Sequence, residues 1–94
     1  MQVVWLKPAV LDLHHVCEYI RQDDPAVAAK TGARIEAVVA SLARFPDMGT
    51  PGEIPGTREL VIPGLPYFVV YRLKGDAVQI LRVLHGKQKW PPSL

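Results

Sequence analysis

The period of the apolar positions changes twice along this 94-residue chain. Residues 2–6 (Gln-Val-Val-Trp-Leu) are a short β-branched and aromatic run, which predicts a strand. Pro8 sits where a first helical residue tolerates the missing N–H, and beyond it Leu13, Val16, Cys17 and Ile20 recur at helical spacing. This first helix is expected to end near Gln22. Asp23-Asp24-Pro25 then reads as a stop and restart, with Asp24 as N-cap and Pro25 at the first position of a second helix. The second helix is expected to run from about Pro25 to Phe45 and to bury Ala28, Thr31, Ile35, Val38, Val39, Leu42 and Phe45. Lys30, Arg34, Glu36 and Arg44 lie off that stripe. Gly32 costs such a helix about 1 kcal/mol relative to alanine, and a close approach of the first helix is the reason to keep it. So short a linker makes the pair an antiparallel hairpin.

Residues 46–56 hold three prolines and three glycines, a loop by composition. Alternating and β-branched runs then predict strands over residues 57–62, 67–73 and 77–84. Pro63-Gly64-Leu65-Pro66 and Lys74-Gly75-Asp76 connect them as tight turns into an antiparallel meander. The tail after Gly86 contains Pro91-Pro92 and is not expected to lengthen the sheet. The predicted order is β-α-α-β-β-β in a single domain, 1–94, of the α+β class. A helical hairpin packs on one face of a mostly antiparallel sheet. The last three strands are apolar on both faces, and two helices cover only one, so the other is expected to meet a partner.

Bulk properties narrow this picture. A chain of this length buries about two-thirds of the surface it exposes when unfolded, so a partner that covers apolar surface would stabilise it. An apolar content of 49% suits a globular core rather than disorder. Net charge is +2, unevenly spread: residues 1–52 carry five basic and six acidic side chains, residues 53–94 six basic and three acidic. The basic second half suits an acidic partner, but it is far from the dense positive surface of a dedicated nucleic-acid binder, and no direct sequence-specific DNA binding is expected. Cys17 is the single cysteine, so no intramolecular disulfide is possible and no metal site or cofactor is expected. His14 and His15 are adjacent on the first helix and lack metal-pair spacing. Lys7 and Pro8 interrupt the opening apolar run, which argues against a signal peptide, and no run is long enough to cross a bilayer. A cytoplasmic location is expected.

Several pieces of this chain, in order, resemble the RelE/ParE toxins. Trp5 followed by Asp12-Leu13 and Tyr19-Ile20 is similar to the family's opening strand and first helix. Phe45-Pro46 and the glycine-rich loop match the exit from its second helix. Pro55-Gly56-Thr57-Arg58-Glu59-Leu60, Pro66-Tyr67-Phe68-Val69-Val70-Tyr71-Arg72 and Val83-Leu84-His85 with Trp90 resemble its sheet. The resemblance covers nearly the whole chain and is closer to ParE-like members. It implies the toxin of a type II toxin–antitoxin system, with roles in growth inhibition, plasmid stability and stress response. Its implied partners are an acidic antitoxin that folds on binding and a cellular target. In ParE-like members that target is DNA gyrase, inhibited by binding alone; in RelE-like members it is the ribosome, where mRNA is cleaved.

The central strand discriminates between them. Ribosome-dependent nucleases of the family show Tyr-Arg-Leu-Val-Tyr there, the arginine stabilising charge on the scissile phosphate. The matching residue here is Phe68, which cannot. The first reading is therefore a gyrase inhibitor contacting its target through Arg58, Arg82, His85, Lys87, Lys89 and Trp90, with no confident catalytic residue. The alternative is an endoribonuclease using Arg58, Arg82 and His85, histidine being the side chain that titrates nearest neutrality. On regular strand parity Arg82 and His85 point to opposite faces, a conflict that a bulge would undo. A third class is a non-toxic interaction module of the same fold. For the antitoxin, the expected contacts are Leu60, Ile62, Phe68, Val70, Ile80 and Leu84. Plainer roles are also open: a surface ion pair between Arg58 and Glu59, Arg82 spreading its stem over apolar surface, Cys17 in the core, and Trp90 capping the sheet.

Overall fold

A computed structural model describes residues 1–92. Its elements are β1 (Gln2–Trp5), α1 (Lys7–Arg21), α2 (Pro25–Ser41), β2 (Thr50–Pro51), β3 (Arg58–Val61), β4 (Tyr67–Lys74) and β5 (Ala77–His85). The five strands form one sheet in the order β1-β5-β4-β3-β2. The β2–β3, β3–β4 and β4–β5 pairs are antiparallel, whereas β1, which leads into the helical hairpin, lies parallel to β5. The α+β class and the helical layer on one face agree with the sequence reading. The two-residue β2 adds a strand inside the Pro/Gly-rich loop.

Helix α2 starts as its sequence dictates. Asp24 is extended, and its Oδ1 accepts hydrogen bonds from the Ala26 and Val27 amides, satisfying two donors of the first turn. Its end differs from expectation: the regular helix stops at Ser41, and Leu42–Arg44 continue as turns. Leu42 still faces the core, but the change of path carries Phe45 outward, leaving it 56% exposed. The hairpin is close-packed at Gly32, where an added Cβ would lie 3.0 Å from Cys17 Sγ. Cys17 itself is only partly buried. Burial raises its thiol pKa and the Glu36 carboxylate adds to that, so it is a poor nucleophile rather than a reactive one.

The core lies between the hairpin and one sheet face. Ala9, Leu13, Ile35, Val39 and Leu42 from the helical side meet Ile62, Val69, Tyr71, Val78, Ile80 and Val83, with Val3, Trp5, Leu60 and Tyr67 at the margin. Burying such side chains is the main stabilising term of the fold, about 1.5–3 kcal/mol for each large one. One irregularity decides which side chains reach it. Tyr71 pairs with Ile80 and Val70 with Arg82, so Leu81 is an extra residue on β5, a β-bulge. Before the bulge Val78 and Ile80 face the helices; after it Val83 and His85 do. Leu84 and Arg82 therefore share the second face with Phe68 and Val70, their partners across the ladder, while Ile80 does not.

Candidate functional site

The second face carries Val61 from β3, Phe68, Val70 and Arg72 from β4, and Gln79, Arg82 and Leu84 from β5, as register dictates. Its centre is closed although no helix lies there: Val70 is 0% and Leu84 2% exposed. Its rim is open, with Val61 at 67%. The C-terminal turn folds back towards it. The Gly86 amide donates to Pro66 O, the Gln88 amide to His85 O, and the His85 amide to Gln88 Oε1. The Trp90 ring then stacks over the Arg82 guanidinium, 5.7 Å from its centroid, a cation–π geometry beside Val70. Among the described residues Trp90 Nε1 is buried without an acceptor.

Arg82 is held from its other side by α1. Its Nε donates to Asp12 Oδ2 at 2.6 Å and its Nη2 to Oδ1 at 3.1 Å, a bidentate pair. Asp12 Oδ2 also accepts the Val83 amide at 3.0 Å, at a stretch of β5 beyond the reach of β1. One carboxylate thus caps an open sheet edge and fixes an arginine, with only 15% of its side chain exposed. The hydrogen bond to Asp12 raises the Arg82 pKa further above its already high value, so the cation is permanent.

His85 and Arg58 are not neighbours of this group. His85 stands edge-on to Tyr67, ring centroids 5.5 Å apart, on the helix side of the sheet. Its Nδ1 accepts the Lys87 amide at 3.0 Å, which places the hydrogen of the neutral ring on Nε2 and makes Nε2 a donor. Tyr67 is kept protonated by burial, which raises its pKa. Arg58 lies opposite Tyr71, four residues along β4 from the His85 level, about 13 Å away along the strand and two strand spacings across. It belongs to a different structure: Arg58 Nη1 donates to Gly49 O at 2.7 Å, and Tyr71 Oη donates to Pro46 O at 2.7 Å while accepting the Gly49 amide at 2.9 Å. A Cβ on Gly49 would sit 2.7 Å from that hydroxyl, so only glycine fits. Together these bonds pin the 46–56 loop to the sheet.

The bulge therefore leaves the parity conflict between Arg82 and His85 in place, because it lies before both. Arg58, Arg82 and His85 do not converge on one point. Arg82, His85, Lys87 and Trp90 do share one end of the sheet, with Lys87 and Lys89 exposed on the turn. The six antitoxin contacts expected from sequence do not share one face of the sheet. Leu60, Ile62 and Ile80 belong to the helix-covered core; only Phe68, Val70 and Leu84 lie on the second face, and of these Phe68 alone keeps accessible surface of any extent. Parity counted along β5 without the bulge grouped Ile80 with Leu84, and the β3–β4 register sets Leu60 and Ile62 on the face of Val69, opposite Phe68 and Val70. The surface ion pair between Arg58 and Glu59 also does not form: Arg58 turns to the loop, and Glu59 Oε2 accepts the Glu53 amide. Asp12 and Tyr71 are the structural keystones that sequence reasoning did not single out for a role. A depression of about 880 Å³ is lined by residues of the helical hairpin, His14, Cys17 and Gly32 among them. Among the described residues no three His, Cys, Asp or Glu side chains gather to hold a metal ion, and no helix is long and apolar enough to cross a membrane.

This combination, a helical hairpin on a meander with a basic C-terminal turn, defines a RelE/ParE superfamily toxin, and comparison with known proteins agrees. The family model described as "ParE toxin of type II toxin-antitoxin system, parDE" matches residues 3–90. "Putative toxin Y4kP" of Sinorhizobium fredii is 43% identical over 93 residues, covering 99% of this chain and 96% of that protein. Toxin RelE2 of Caulobacter vibrioides is 32% identical over 85 residues, 90% of this chain and 94% of its own length. Among solved structures, one titled "Chromosomal ParDE TA system from P. aeruginosa" superposes with a TM-score of 0.82 at 31% identity, over 90% of this chain and 95% of that one. The RelBE2 toxin–antitoxin complex of Mycobacterium tuberculosis gives a TM-score of 0.58 at 28% identity, over 89% and 95%. The chain belongs to the ParE toxin family.

Proposed function

We propose that this toxin inhibits DNA gyrase by binding it, through the C-terminal turn and the adjoining end of the sheet, and that a cognate antitoxin neutralises it. The observation that carries the reading is the dispersal of Arg58, Arg82 and His85. Cleavage of RNA needs a base at the 2′-hydroxyl, an acid at the leaving oxygen and a cation at the phosphate, all within reach of one atom. Here one cation is tied to a loop, one to Asp12, and the imidazole presents a donor where a base is wanted. Phe68, on the accessible rim of the second face, has no charge to offer a phosphate. What remains free is a surface suited to protein: Lys87 and Lys89 exposed beside a partly buried tryptophan, the residue type that most often anchors an interface.

An antitoxin fits the same molecule at Phe68 and Val61, where apolar surface stays open, and an acidic segment would complement the basic second half of the chain. Purified gyrase and supercoiled plasmid test the reading. Inhibited supercoiling with accumulation of linear plasmid is expected; intact gyrase activity together with mRNA cut on added ribosomes would replace it with the ribonuclease.

A further inference from the structure

We infer that Asp12 is a positioning residue for target recognition: from α1 it fixes Arg82, and through Arg82 it holds the Trp90 turn that presents Lys87 and Lys89. The inference rests on the proposal that this turn contacts the target.

The geometry is a stack of three groups from three parts of the chain. Asp12 Oδ2 and Oδ1 take Arg82 Nε and Nη2 at 2.6 and 3.1 Å, which leaves the guanidinium a single orientation. The Trp90 ring lies over that guanidinium. The remaining described bonds of the turn are local, running between residues 85 and 88 or to Pro66, and none reaches Trp90. With Nε1 unpartnered among the described residues, the indole is held by packing rather than hydrogen bonding, and the contact that ties it to a fixed polar group is the one on Arg82. Freeing that arginine therefore frees the ring, and the lysines beside it lose their fixed spacing. Arg82 is engaged by Asp12 on one side and by the Trp90 ring on the other. The raised basicity of Arg82 agrees with a strong pair.

Two functions of Asp12 can be separated by substitution. Asp12→Asn retains a carbonyl oxygen for the Val83 amide, preserving the edge cap, but lacks the charge and the second acceptor that orient Arg82. The purified full chain is digested with trypsin under native conditions, comparing cleavage after Lys87 and Lys89 with cleavage after Arg34 within α2, which reports global opening. Losing a charge-assisted bidentate pair should raise tail cleavage at least about tenfold over the Arg34 rate, and weaken gyrase binding by a similar factor. Arg82→Met should release the tail equally, and the double variant no further than either single one, since both break one unit. Unchanged tail cleavage in Asp12→Asn, or additive release in the double variant, overturns the inference whatever gyrase does. A released tail with full gyrase affinity also overturns it. If the unsubstituted chain fails to bind gyrase, the proposed target is wrong, and the proteolysis pattern alone still decides whether Asp12 seats the tail.

Discussion

The two faces of the sheet are built from similar residues and are closed in different ways. The helix-covered face is closed by continuous packing, from Leu13 and Ile35 to Ile62, Tyr71 and Ile80. The second face is closed only at its centre, where Val70 and Leu84 lie near the Arg82–Trp90 stack, and it leaves Val61 and Phe68 at a rim bordered by cations. Apolar content alone does not separate them. The difference is that the first face is sealed by elements of regular structure, whereas no helix covers the second, where Trp90 of the C-terminal turn lies over Arg82. Stability should reside in the first and recognition in the second, and substitutions can separate the two.

The largest effect is expected on the sealed face. Ile35→Ala removes a fully buried side chain from the hairpin's contact with the sheet, and thermal denaturation should show a loss of about 2–5 kcal/mol. A loss below about 1 kcal/mol would mean that this face is not the core. Next is the anchor of the 46–56 loop, at the far end of the same face. Tyr71→Phe leaves the Gly49 amide without its acceptor and should cost about 1–3 kcal/mol, with faster amide exchange confined to the loop. Arg58→Ala should loosen the same loop; if it abolishes target binding while loop exchange is unaltered, Arg58 is a contact rather than an anchor.

A smaller effect concerns pH. Burial raises the pKa values of Cys17, Tyr67 and Tyr71 in the folded chain. The unfolded chain then releases these protons at lower pH than the folded one, so their contribution is complete below the ordinary thiol range and is lost as pH climbs through the raised values. Melting temperature should fall progressively on the alkaline side of pH 9, and less steeply in Cys17→Ala. The smallest effect on stability is predicted for the open face. Lys87→Ala with Lys89→Ala should move stability by no more than about 0.5 kcal/mol, yet abolish growth arrest in cells.

Much of this comparison was legible in the sequence, and the illegible parts have specific causes. The hairpin was readable because Asp24-Pro25 is a local cap and Leu13, Ile35 and Val39 hold the helical period. Gly32 announced its close contact for the same local reason. The bulge at Leu81 was not readable, since Ile80, Leu81, Val83 and Leu84 are all apolar and nothing marks the extra residue. The grouping of Ile80 with Leu84 followed from that, while Leu60 and Ile62 were joined to Phe68 and Val70 because the β3–β4 register is set by the turn between them. Strand β2 is too short for a period and contains a proline. The Asp12–Arg82 pair joins residues 70 positions apart, and no local pattern signals a contact at that range. Arg82 was singled out as a candidate contact, but its partner comes from α1, out of reach of any local pattern. The exposure of Phe45 depended on where α2 ended, and Leu42–Arg44 have no breaker to show it.

The open face and its C-terminal turn are proposed to recognise gyrase without chemistry. A supercoiling and cleavage assay with purified gyrase, comparing the toxin with its Lys87→Ala/Lys89→Ala variant at matched fold stability, tests that proposal directly. Inhibited supercoiling and linear plasmid are expected with the first, and neither with the second. Equal inhibition by both, or no inhibition by the toxin while added ribosomes yield cut mRNA, would contradict it.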